Sequence, residues 1–143
     1  MSRSPQEAAA LVKRVQHRHH RALTAALSDL GVSLVQWDVL RHLAENPNAS
    51  LHGLARLTFQ SDQAFGTLAT RMTARGLIAR VPGPGRAVRH RLTDRGEAVR
   101  AEGARRVEAT VRQSFAALSA IQVEQLGGLL QLVLDQPLDP QPE

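Results

Sequence analysis

The chain has 143 residues, 18 Lys plus Arg against 13 Asp plus Glu, a net charge of +5, and no cysteine. This excludes disulfides, thiolate zinc sites, iron–sulfur clusters and thiol redox switches, and no apolar run of about 18 residues exists to span a membrane. No apolar stretch precedes the first charges, so the reading is a cytoplasmic protein without a secretory signal; only four residues are aromatic (Trp37, Phe59, Phe65, Phe115), and the Ala- and Leu-rich remainder favours helix.

Residues 5–30 read as a first helix. Ala8, Leu11, Val12, Val15, Ala22, Leu23, Ala26, Leu27 and Leu30 recur at three and four, Ser4 and Pro5 open it and Gly31 stops it. Ser33 with Gln36 forms a capping box for a second helix, which Asn46-Pro47-Asn48 ends. Ser50 opens a short third helix, and Thr58-Phe59-Gln60 is a turn. Ser61 caps a fourth helix that runs to about Arg75 and stops at Gly76. Leu77–Val81 and Ala87–Leu92 form a hairpin around Pro82-Gly83-Pro84-Gly85. Thr93 caps a long helix from Asp94 to about Leu118, and Ser119 with Gln122 opens the last helix. Residues 137–143, with three prolines, form a disordered tail.

Charge is unevenly placed. Residues 61–96 hold seven arginines and two acids, whereas residues 97–143 hold four arginines and seven acids. A local basic zone suits a polyanion; a solvated basic surface has the same composition. Two short helices, a tight turn and a basic hairpin make a winged helix-turn-helix, and the fold class is mainly α with a small β-hairpin wing, flanked by long dimerisation helices. In the fourth helix Phe65, Leu68, Ala69 and Met72 share one side. Gln63, Thr67, Thr70 and Ala74 lie opposite, with Gly66 and Arg71 on the flanks. That pattern suits a helix laid in the major groove of double-stranded DNA, and equally an amphipathic helix with a polar solvent face. In the groove, Gln63 pairs with adenine, Thr67 and Thr70 meet bases or a thymine methyl, Arg71 and the helix start at Ser61 meet phosphate, and Gly66 permits close approach. Arg86 at the hairpin tip suits the minor groove, and Arg89 and Arg91 make one face of the return strand basic.

The segments LVQWDVLRHLAE from Leu34, LHGLARLTFQSDQAFGTLATRMTARGLIAR from Leu51 and RAVRHRLTDRG from Arg86 resemble the MarR family of transcriptional regulators over roughly residues 33–100. The resemblance implies a homodimer in which the first, fifth and sixth helices intertwine, a recognition helix at 61–75, and an aromatic or phenolic effector between the dimerisation and DNA-binding parts. Wings of this family carry Asp-x-Arg; here Arg86 is present but Pro84 replaces the aspartate, and the hairpin is shorter. Residues 33–93 are thus read as the DNA-binding part and 5–31 with 94–136 as the dimerisation part of one domain. The apolar faces of the first and last two helices exceed what a small winged helix can cover, which independently argues for a second copy. A two-fold dimer places its reading helices about 34 Å apart, one DNA turn, on a pseudo-palindrome.

Trp37 is read either as core or as one wall of the effector pocket that the resemblance implies, with His17, His20, Arg21 and Arg41 as partners for a carboxylate or phenolate. His17 and His20 share a helix face, but two histidines do not make a zinc site, so neither a metal nor a cofactor is expected. No nucleophile elbow, phosphate loop or framed acid pair suggests an enzyme. The function read from the sequence is a DNA-binding regulator, most simply a repressor; the alternative is a winged helix for protein interaction or sequence-blind DNA coating.

Overall fold

The computed structural model describes residues 2–82, 85 and 88–138. The elements run α1 (Pro5–Leu27), a 3-10 turn (Ser28–Leu30), α2 (Leu34–Glu45), α3 (Leu51–Leu57), α4 (Asp62–Ala74), β1 (Ile78–Val81), β2 (Arg89–Leu92), α5 (Asp94–Ser114) and α6 (Ala120–Asp135). The fold class is therefore the one expected. The chain divides into two compact units, Met1–Thr110 and Val111–Glu143.

Local chemistry sets the helix starts. Ser4, Ser33 and Ser119 each accept a hydrogen bond from the backbone three residues on, while Glu7, Gln36 and Gln122 reach back to the cap N–H. These reciprocal pairs satisfy donors that a helix start otherwise leaves open. Two ends differ from expectation. α1 stops at Leu27, because the Ser28 hydroxyl donates to Ala25 O and the chain tightens to a 3-10 turn before Gly31 at φ +73°. α5 stops at Ser114 rather than Leu118: Ala116 N–H bonds to Gln113 O and Leu118 N–H to Phe115 O, closing turns that deliver Ser119 in the extended conformation of a cap.

In the first unit the core is built by Leu27, Val32, Trp37, Val39, Leu40, Leu43, Leu54, Ala55, Phe65, Ala69, Met72, Leu77 and Ile78. α5 meets this core through glycines. A Cβ at Gly96 would lie 1.9 Å from Leu77 O, so the start of the helix sits directly against the entry to β1. Thr93 fixes the same junction, its hydroxyl donating to Gly76 O and accepting from Gly96 N–H. The two strands pair antiparallel, Ile78 with Leu92, Ala79 with Arg91, Arg80 with His90 and Val81 with Arg89. In the second unit α6 has no buried residue, and Ile121, Leu129, Leu132, Val133 and Leu134 are all exposed.

Candidate nucleic-acid interface

α3 and α4 are joined by the four residues Thr58 to Ser61. Ser61 is extended, and its hydroxyl accepts from Ala64 N–H at 3.1 Å, so the first turn of α4 is capped. Phe65 and Met72 are fully buried and Ala69 nearly so, which fixes the helix rotation. Gln63, Thr67, Thr70, Arg71 and Ala74 consequently face outward. Gly66 is half-buried, yet a Cβ built there meets nothing within 4 Å, so the gap above it is open to an external surface.

The threonines are more restricted than their composition implies. Thr67 Oγ1 donates to Gln63 O at 3.1 Å, Thr70 Oγ1 to Gly66 O at 3.0 Å and Thr73 Oγ1 to Ala69 O at 2.8 Å. Each hydroxyl proton is used inside the helix. What remains outward is an acceptor oxygen and a methyl group, suited to an adenine or cytosine amino group or to a thymine methyl. Arg71 has no ion-pair partner among the described residues, whereas Arg75 reaches Gln36 at 3.3 Å. Near the start of α4, Asp62 Oδ1 lies 2.7 Å from His52 Nδ1 of α3. No spacing in the sequence signals this pairing, which links α3 to the first turn of α4 and places an imidazole on the one carboxylate at that helix end.

The hairpin packs beside α4. Arg89 is half-buried and bridges to Ser50, and Leu51 N–H donates to Val88 O at 3.1 Å, tying the wing to the start of α3. Arg91 is exposed and His90, on the other face, is buried. Arg86 and Pro84, with the Gly83 and Ala87 positions of the expected turn and strand, lie outside the described residues. Between α4 and the hairpin runs a groove of about 530 Å³, lined among others by Gly66, Thr70, Thr73, Arg80 and His90. His90 Nδ1 is buried there without a hydrogen-bond partner. Burial first, and the neighbouring Arg80 charge second, hold this imidazole below the usual histidine range.

The residues considered for an effector fall into two groups. His17 and Arg21 line an open hollow of about 650 Å³ on α1, together with Lys13, Arg14 and Arg18; His20 is exposed on the same helix but does not line it. Trp37 and Arg41 are absent from that lining. Trp37 is a core residue: its indole N–H donates to Arg100 O at 3.1 Å. Arg41 sits 5.8 Å from the Trp37 ring centroid and is paired with Asp38 at 2.7 Å and Glu45 at 3.7 Å.

Residues 30–87 match the sequence profile of the MarR family. The chain is 36% identical over 100 residues to the HTH-type transcriptional repressor Rv2887 of Mycobacterium tuberculosis (strain ATCC 25618 / H37Rv), a stretch covering 68% of this chain and 69% of that one. The crystal structure of the Mycobacterium tuberculosis MarR family protein Rv2887 in complex with DNA aligns with a TM-score of 0.73 at 29% identity, over 87% of this chain and 95% of that one. Its complex with salicylic acid aligns with a TM-score of 0.72 at 28% identity, over 92% and 97%.

Proposed function

The chain belongs to the MarR family of transcriptional regulators, and from that premise we propose that it is a repressor that reads a pseudo-palindromic operator in double-stranded DNA as a homodimer. The observation that carries this reading is the outer face of α4. Gln63, Thr67 and Thr70 project from a helix whose opposite side is anchored by Phe65 and Met72, with open space over Gly66. A helix of this kind can sit deep in the major groove, because its outward side chains are short, polar and held by a rigid core. Ser61 and Arg71 supply phosphate contacts, Arg89 adds a DNA contact from β2, and Arg86 is the residue assigned to the minor groove. The Rv2887 complex with DNA supports the same use of the fold.

In this reading residues 33–93 bind DNA, and 5–31 with 94–136 join two copies. Support comes from apolar surface that one copy leaves uncovered. On α1, Leu11, Val12 and Val15 are 39–53% exposed, and on α6, Leu132, Val133 and Leu134 are 69–77% exposed. Such faces in a single chain would invite aggregation, and a two-fold interface removes them from water. In this reading the protein is cytoplasmic, where a repressor of this family meets its operator; no described helix is long and apolar enough to cross a membrane.

The ligand class we propose is a small aromatic acid, as in the Rv2887 complex with salicylic acid. His17 and Arg21, with His20 nearby, supply the polar partners on α1. Trp37, in the core against α5, and Arg41, paired with two carboxylates, serve as framework on α2. A ligand that favours a different spacing of those helices lowers DNA affinity by its differential affinity for the two spacings.

Selection from a pool of random duplexes tests the reading. The protein is expected to enrich one pseudo-palindrome, bound about 1,000-fold or more tighter than random DNA, and salicylate is expected to weaken that complex. Equal retention of all sequences would contradict it.

A further inference from the structure

The turn between α3 and α4 holds Phe59 in two costly situations at once. Its φ is +57°, the one positive value for a non-glycine among the described residues. A residue with a Cβ is disfavoured there. The residue is also 96% exposed, so no burial within the chain offsets the backbone cost.

The surrounding turn enforces this. Thr58 is buried, and its hydroxyl donates to Leu54 O at 2.8 Å. Gln60 N–H bonds to Ala55 O at 2.8 Å, and its side-chain amide donates to Thr58 Oγ1 at 2.9 Å. With both neighbours pinned, and Phe59 N–H bonded to Arg56 O at 3.2 Å, the ring is carried outward.

Two features identify what covers it. The first is continuity with the proposed interface. Phe59 lies two residues before the Ser61 cap, so the two Cα atoms are at most about 7 Å apart. A helix entering the major groove by its N-terminal end brings such a residue against the sugar–phosphate rail. The second is the nature of the patch. Leu57, the last residue of α3 and only 39% exposed, is the one other exposed large apolar residue between Leu51 and Ala74, and the exposed residues near Phe59 in the chain, His52, Arg56, Asp62 and Gln63, are polar. A stable protein interface buries on the order of 1,200 Å² or more around an apolar centre, whereas one ring amid polar groups matches the alternation of sugar and phosphate along a duplex edge.

We infer that Phe59 is a direct, uncharged DNA contact, its ring packing on deoxyribose beside the phosphate that meets the start of α4. This deepens the DNA-binding reading above and rests on it.

The test uses the duplex recovered by selection and the full-length chain. Phe59→Gly removes the ring and suits the backbone, so its thermal midpoint is expected to equal or exceed wild type while DNA binding weakens about tenfold, for loss of a partly buried phenyl. The slope of log Kd against log salt stays unchanged, because no phosphate charge partner is lost. Phe59→Leu falls between. Equal affinity of Phe59→Gly and wild type overturns the inference. A readout independent of variant folding is fluorine NMR of wild type carrying 4-fluorophenylalanine at its three phenylalanines, with the signal of residue 59, the most exposed of the three, assigned by the largest shift between light and heavy water. That signal is expected to shift on adding duplex; a signal unmoved at saturation overturns the inference even where the variants misfold. If the duplex binds and the signal stays put, only this contact falls. If selection enriches no duplex, the DNA-reading function falls and the contact with it.

Discussion

Gly103 lies directly against the indole of Trp37: a Cβ on residue 103 would sit 2.4 Å from both Cδ1 and Nε1 of that ring. The indole N–H donates to Arg100 O, one turn earlier on the same helix. α5 is thereby seated on α2 by a flat ring in a gap where only hydrogen fits. Gly103→Ala is expected to destabilise the fold by about 2 kcal/mol, the range for overpacking a tight core. The midpoint should fall by roughly 5–10 °C, followed by emission of the single tryptophan. An unchanged midpoint would contradict this packing.

His90 makes stability depend on pH in a defined direction. Burial, then Arg80, holds its pKa below the ordinary value of 6.5. The groove presents Arg80 from β1, Thr70 and Thr73 from α4 and Leu51 from α3, none of them an acid that could accept the imidazolium. The unfolded chain therefore takes up a proton more readily than the folded one. The stabilisation is complete above about pH 6.5 and is lost as pH falls through that value towards the depressed native pKa. Urea midpoints measured between pH 8 and pH 5 should drop for wild type, and drop less for His90→Gln.

On α4 the two kinds of contact separate by their response to sequence. Gln63→Ala with Thr67→Ala should cut the preference for the selected duplex over random DNA by about 1–3 kcal/mol per base pair misread. Arg71→Ala should weaken all duplexes alike and lower the salt slope by about one. Binding titrations against selected and random DNA at several salt concentrations distinguish them. A uniform loss in the double variant would contradict the assigned roles.

The exposed α6 face predicts an oligomer that one charge can break. Leu129 is 63% and Val133 71% exposed in one chain, so Leu129→Glu or Val133→Glu should leave the helix intact. Burying a charge in an apolar interface, however, costs several kcal/mol. Light scattering at micromolar concentration should report a dimer for wild type and a monomer for the variants. Equal masses would show that this face joins nothing.

Much of this arrangement was legible because its determinants are local. The serine caps at 4, 33, 50, 61 and 119 all stand where the sequence places them. The spacing of Phe65, Ala69 and Met72 oriented α4 because the helical period alone decides which side is apolar. What escaped depends on residues far apart in the chain. The Trp37 bond to Arg100 spans 63 positions, and the closeness of Gly103 to that ring follows only from the tertiary packing. His52 and Asp62 meet because the α3–α4 turn folds back, and no periodicity signals that pair. The length of the Thr58–Gln60 stretch marks a turn at Phe59, but its left-handed backbone is set by the bonds of Thr58 and Gln60 around it. An added Cβ at Gly127 or Gly128 of α6 would meet nothing within 4 Å in a single chain.

The decisive measurement is a hydroxyl-radical footprint of wild type and of Gln63→Ala/Thr67→Ala on the selected duplex. Paired α4 helices in successive major grooves predict two protected patches related by a dyad, centred about 10 base pairs apart on one face of the duplex, and lost in the double variant at equal concentration. A single patch, or uniform protection that the double variant leaves intact, would contradict the account.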